Sequence, residues 1–155
     1  MDADILSWDD IRSACARLAE EAASGSAPDV VVGIARGGLV PAVMIAHLLG
    51  LRDLRHVSLT RTAGDAVNAP KRPVAAGSSP DSLGDLRGRS VLLVDDVAGS
   101  GETIETAANL VTDLRPARLS TAVCVVNDGN WRGSQLPDHI AIRSRRWVVF
   151  PWERI

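Results

Sequence analysis

Residues Val91 to Thr103 read VLLVDDVAGSGET. The four apolar residues Val91 to Val94 have the character of a strand buried on both faces, as in a parallel sheet. They run into Asp95 and Asp96, which sets two carboxylates at the carboxyl end of a buried strand, where open α/β sheets bind ligands. Val97-Ala98-Gly99-Ser100-Gly101-Glu102-Thr103 then reads as a tight loop entering a helix, so backbone N–H groups and the helix dipole can converge on a phosphate. Ser100 and Thr103 can add hydroxyl donors, and the glycines let the backbone approach a ligand closely. The bland reading stands beside this one: a glycine-rich turn with a threonine near the helix start, after aspartates that merely end a strand. Two rival phosphate motifs fail. A dinucleotide fingerprint needs its third glycine at position 104, where Ile104 stands, and no Gly-Lys-Ser or Gly-Lys-Thr occurs for a Walker-type loop.

Upstream, Ser7 and Asp10 form a variant capping box, and Trp8, Ile11, Ala14, Cys15, Leu18 and Ala22 recur at helical spacing, which predicts a helix over 8–23. Val30 to Ala35 is a short β-branched run that predicts a buried parallel strand, and after Arg36-Gly37-Gly38 a second helix is expected through Leu49. Val57 to Thr60 predicts another strand. From 62 to 82 the chain turns to Gly, Ala, Pro, Ser, Asn and Asp without apolar period, which predicts a long loop and a candidate lid. A third helix is expected from near Gly101 to before Pro116, and a strand over 119–126. Strands alternating with helices imply right-handed crossovers and a mainly parallel, twisted sheet flanked by helices.

The length of 155 residues suits one domain spanning 1–155. The formal net charge is only -2, which argues against nucleic acid or an anionic membrane as the main partner and favours a small ligand. Acid stands where a signal peptide would carry basic residues, in MDADILSWDD, and no apolar stretch reaches membrane-spanning length, so a cytoplasmic protein is expected. Cys15 and Cys124 lie in apolar segments with no metal-ligand spacing and read as buried thiols.

The apolar strand, paired acids and small-residue loop closing on Thr103 resemble the motif with which type I phosphoribosyltransferases bind 5-phosphoribosyl-1-pyrophosphate (PRPP). VVGIARGGLVPA, from Val31 to Ala42, resembles the pyrophosphate loop of that family, and RWVVFPWE, from Arg146 to Glu153, resembles the base-binding segment of its xanthine-guanine and hypoxanthine members. The resemblance implies a transferase that joins ribose 5-phosphate to a nucleobase of purine type with release of pyrophosphate. It implies that Ala98, Gly99, Ser100, Gly101 and Thr103 hold the 5-phosphate, that Asp95 and Asp96 face the ribose hydroxyls, and that Arg36, Gly37 and Gly38 bind pyrophosphate. The peptide before Arg36 is then expected to be cis.

Trp147 would stack on the base and Val148 would offer it main-chain groups, within a C-terminal base segment spanning 143–155. Without the resemblance, Trp147 to Trp152 is an apolar C-terminal strand. Asp96 and Glu153 would reach a magnesium ion, Glu153 being equally readable as a solvated terminal residue. Lys71, with Arg61 and Arg72, is either a pyrophosphate contact or a solvated lid charge. A homo-oligomer, dimer or tetramer, is also implied.

The chain departs from the 6-oxopurine pattern at two places. The fifth residue counted from the first acid is Gly99 rather than an aspartate, and Asn127 stands where a lysine is usual. An amide both donates and accepts, whereas a lysine only donates, so the base site is expected to be altered while the PRPP half is intact. Asp128 offers a substitute acid or a turn residue. The alternative to an enzyme is a regulatory protein that senses PRPP.

Overall fold

The computed structural model describes residues 2–62, 71–76 and 82–154, with side chains for those outside 60–81. Strand β1 (Ala3–Ile5) precedes α1 (Trp8–Ala23), whose start is the predicted capping box: the Asp10 N–H donates to Ser7 Oγ at 3.1 Å and the Ser7 N–H to Asp10 Oδ2 at 2.8 Å. Next come β2 (Val30–Ala35), α2 (Leu39–Leu49), β3 (Leu54–Thr62), β4 (Lys71–Ala76), β5 (Ser90–Ala98), α3 (Glu102–Thr112), β6 (Arg118–Asn127), β7 (His139–Ser144) and β8 (Trp147–Val149). A short 3-10 turn at Pro151–Glu153 follows.

The main sheet has the order β4-β3-β2-β5-β6-β7. All neighbours in it are parallel except β4, which runs antiparallel to β3 at the edge. Because strand residues alternate between faces, β2 and β5 supply two cores. Val31, Leu92 and Val94 pack with Ile11, Leu18 and Ile45 of α1 and α2 on one face. Val30, Val32, Ile34, Val91 and Leu93 pack with Ile104, Ala107 and Val111 of α3 on the other. From β2 the chain crosses through α2 to β3 on one side, and from β5 it crosses through α3 to β6 on the other. Between β2 and β5 the order reverses, which opens a crevice beyond their carboxyl ends.

At the opposite end of these strands Arg55 donates to Asp53 and to the carbonyls of Leu83 and Asp85, while Arg89 reaches Asp53 and Asp29. This network fixes the starts of β2, β3 and β5 relative to one another. The second sheet is the parallel pair β1-β8. Behind it Phe150 is buried, stacked on Trp152 with ring centroids 4.7 Å apart, and Trp152 in turn meets Trp8 of α1.

Three expectations change. The stretch 62–82 is not one loop, since Lys71–Ala76 pairs with β3 at Leu59↔Ala76 and Thr60↔Ala75. An edge strand held by main-chain pairing needs no apolar period, and it tolerates Pro73. The rest of that stretch, and the side chains of Arg61, Lys71 and Arg72, lie outside the described residues. Strand β5 does not stop at Val94 but continues through the acids to Ala98, because β6 is long enough to pair with it there. The apolar C-terminal run is strand only to Val149, and Pro151 turns it into the 3-10 segment.

Phe150 closes the core between the two sheets. Phe150→Ala is therefore expected to destabilise the fold by about 3–5 kcal/mol, read as a lowered midpoint in urea unfolding at unchanged slope; a change under about 1 kcal/mol would remove Phe150 from the core account.

Candidate active site at the switch point

The crevice between β2 and β5 is built by two crossings that touch. The end of β2 turns through Arg36-Gly37-Gly38 into α2, after a cis peptide between Ala35 and Arg36, as the resemblance implied. This turn lies directly on the acidic pair. A Cβ on Gly37 would fall 1.9 Å from Asp96 Oδ2, and one on Gly38 would fall 2.5 Å from the Ile34 carbonyl and 2.9 Å from Asp95 Oδ1. Only glycine fits at either position. Arg36 itself is exposed at the mouth.

Asp95 is 6% exposed and Asp96 is half-buried. Each carboxylate is tied to local backbone: Asp95 Oδ1 accepts from the Asp96 N–H at 2.9 Å, and Asp96 Oδ1 accepts from the Val97 N–H at 2.7 Å. Burial, then the charge of Asp96, pushes the Asp95 carboxyl well above its ordinary range. Burial also raises Asp96, against the bonds from Asp95 and Val97, and Glu153 adds like-charge repulsion. Against this rise stand the two bonds from local backbone N–H groups.

Beyond it, Ala98 ends β5, and Gly99 to Gly101 enter α3. Gly101 has φ +95°, a left-handed backbone that favours glycine, and caps the helix without a side chain. Ser100 Oγ accepts from the Glu102 N–H at 3.3 Å, and Thr103 is half-buried in the first turn. Gly99 is different: its φ is unexceptional and a Cβ there would meet nothing within 4 Å.

Glu153 is exposed, accepts the Phe150 N–H at 2.8 Å, and lies near enough to Asp96 for its charge to push that carboxyl up. Among the described residues no cluster of three or more His, Cys, Asp and Glu could hold a metal by itself. Two facing carboxylates nonetheless fit magnesium, which is commonly held by one or two carboxylates together with substrate phosphates.

Trp147 and Val148 stand in β8, half-buried. The Val149 carbonyl accepts from the Leu6 N–H, so by strand alternation the Val148 N–H and C=O point to the edge away from β1. Ser144 Oγ donates to Asp4 Oδ2 at 2.5 Å and accepts from the Arg146 N–H, which fastens the start of this segment to β1. Asn127 donates from Nδ2 to the Arg146 carbonyl at 3.2 Å and accepts the Gly129 N–H at 3.0 Å on Oδ1. One N–H and one lone pair of its amide are left. Asp128 is not a spare acid: Arg143 grips it at 2.6 Å, and that contact lowers its carboxyl. Trp131, which sequence reasoning passed over, lies against Gly101.

The switch-point crevice thus joins an Arg-Gly-Gly turn, an acid pair of which Asp95 is buried, and a small-residue loop at a helix entrance. The chain belongs to the phosphoribosyl transferase domain family, whose model matches residues 3–153. It is 30% identical over 153 residues to the xanthine-guanine phosphoribosyltransferase of Cereibacter sphaeroides, covering 96% of this chain and 85% of that one. It is similar to the crystal structure of a purine phosphoribosyltransferase from Pyrococcus horikoshii, with a TM-score of 0.82, 31% identity and coverage of 100% and 96%. A hypothetical protein from Neisseria gonorrhoeae with bound ppGpp shares the fold at a TM-score of 0.82 and 24% identity, over 99% of this chain and 90% of that one.

Because folded Asp95 keeps its proton to higher pH than unfolded Asp95, the carboxyl costs stability as pH rises from the unfolded value through the folded one. Asp95→Asn is expected to raise the thermal midpoint of the ligand-free protein at pH 7, with the gain fading toward pH 4. A midpoint that falls at pH 7 would contradict the desolvation account.

Proposed function

We propose that the protein transfers ribose 5-phosphate from PRPP to a purine or purine-like base, releasing pyrophosphate, with the roles divided as follows. The observation that carries this reading is the closure of the Gly37-Gly38 turn on Asp95 and Asp96. That closeness supports reading Arg36, with the amides of Gly37 and Gly38, as the pyrophosphate contact beside carboxylates that face the ribose.

Loss of pyrophosphate leaves positive charge on the ribose ring. Asp95 and Asp96 hold the ribose hydroxyls and favour that charge, and Arg36 favours the departing anion. Ala98, Gly99, Ser100, Gly101 and Thr103 anchor the 5-phosphate at the start of α3, so the reacting carbon is fixed from both ends of the sugar. Asp96 and Glu153 would hold magnesium, which neutralises charge on the pyrophosphate when bound. Lys71, on the edge strand β4, is assigned to the pyrophosphate. The segment 143–155 receives the base, with Trp147 stacking on it, Val148 presenting the free N–H and C=O of its open edge, and Asn127 reading it with the remaining capacity of its amide.

The same reading makes the protein a cytoplasmic homo-oligomer. Cys15 and Cys124 are buried neighbours in the core. No described helix is long and apolar enough to cross a membrane. Helix α2, LVPAVMIAHLL, is apolar nearly all round yet leaves Val43 and Leu48 exposed, which suits a surface covered by a second copy.

Two measurements test the assignment. Thr103→Ala should weaken PRPP binding about tenfold by calorimetry in magnesium, the loss of one charge-assisted hydrogen bond, with an unchanged unfolding midpoint; unchanged affinity would displace the phosphate from this loop. In a screen of nucleobases with PRPP and magnesium, pyrophosphate release is expected with at least one purine. Binding of PRPP with no release for any base would make the chain a sensor instead. Since Gly99 has open space, Gly99→Asp should keep PRPP affinity within about threefold and raise kcat/KM on hypoxanthine or guanine by about tenfold or more, a modest share of what a positioned acid supplies. Unaltered 6-oxopurine activity would remove the missing acid as a cause of base choice.

A further inference from the structure

The connection from β6 to β7 is bound at both ends to the site just described. At its start the Asn127 amide ties to Arg146, next to Trp147, and the Asn127 carbonyl accepts the N–H groups of both Asn130 and Trp131. At its far end the Arg132 N–H donates to the Ser100 carbonyl at 2.9 Å. Between these points the Trp131 indole is held between two glycines. A Cβ on Gly101 would lie 2.8 Å from Trp131 Cη2, and one on Gly133 would lie 2.5 Å from Cζ2, while Nε1 donates to the Gly133 carbonyl at 3.1 Å. The indole therefore lies flush against the Cα of Gly101, the left-handed residue on which the loop pivots into α3.

We infer that Trp131 is a positioning residue for the phosphate loop, and that the strap 127–133 holds the loop in register with the base segment. The inference rests on the proposed binding of PRPP phosphate at 98–103. A glycine-rich loop has high backbone freedom, and converging its N–H groups on one anion requires that freedom to be removed beforehand. Neither Ser100 nor Gly101 has a side chain large enough to do this. The Trp131 ring and the Arg132 N–H supply the restraint from outside, without touching the ligand. A tryptophan that only filled space beside α3 would affect stability and leave PRPP affinity alone.

The test compares Trp131→Ala with Trp131→Phe, which keeps an aromatic ring in the strap but loses the Nε1 bond and part of the indole's reach over Gly101. Trp131→Ala is expected to raise the PRPP KM and Kd about tenfold while kcat stays within about threefold, the pattern of lost ground-state binding. Amide hydrogen exchange over 99–103 in the ligand-free protein should quicken most in Trp131→Ala and less in Trp131→Phe. Should Trp131→Ala fold poorly, Gly133→Ala serves, since its Cβ would push the indole off its seat. PRPP affinity and loop exchange both unchanged in the folded variant would overturn the inference. If the unmodified protein binds no PRPP, the functional proposal fails, and the exchange comparison alone then decides whether Trp131 orders the loop.

Discussion

The site depends on one close approach: the turn after β2 rests its bare backbone on the carboxylates that end β5. Gly37 and Gly38 leave no space for a side chain there, because a Cβ would stand inside Asp96 or against the Ile34 carbonyl. That contact is possible only where β2 and β5 are parallel neighbours whose crossovers depart in opposite directions. The topology therefore supplies the crevice, and the glycines let its two walls meet. Any residue larger than glycine would separate the cation-bearing turn from the acids, and the fold could persist without the site.

The acidic pair also shows why such a site is costly in the free protein. Asp95 is buried beside Asp96, and Glu153 adds like-charge repulsion, so the solvation lost on burial is offset only in part by the backbone N–H bonds to the pair. What compensates is the remainder of the structure: a sheet packed on both faces, and the ion network of Asp53, Arg55, Arg89 and Asp29 at the far end of the same strands. The separation is physically sensible. The network of Asp53, Arg55, Arg89 and Asp29 lies at the amino ends of the strands, whereas the acidic pair lies at the carboxyl ends, where a ligand can complete it.

Elements that bury one regular face were legible in the sequence. Helix α1 carries both its apolar stripe and its capping box, and β2 is an uninterrupted apolar run between two turn signals, so each can be placed without tertiary information. Strands β1 and β8 are three residues each and stabilise only by pairing across the whole chain length, as Ala3↔Trp147 shows, and no local pattern reports that. Strand β5 reads too short for a related reason: the two carboxylates interrupt the apolar run while main-chain pairing to β6 continues. The glycine loop and the acids could be found because their chemistry is local. Trp131 could not, since its role comes from where the β6–β7 connection folds back, and the one hint was a lone aromatic between turn residues in NDGNWRG.

The two departures from the 6-oxopurine pattern turn out to differ in kind. Gly99 sits with ordinary backbone angles and open space beyond its Cα, so nothing in the packing demands glycine there. Its absence of a carboxylate is a property of the ligand side of the site alone. Asn127 is committed to the fold: its amide spans the Arg146 carbonyl and the Gly129 N–H, and its carbonyl takes two further N–H groups from the strap. A lysine at that position could not accept the Gly129 N–H, and so would loosen both the strap and the start of the base segment. Asparagine is thus tied to the shape of this connection, whereas glycine at 99 is free to vary with the base the site receives.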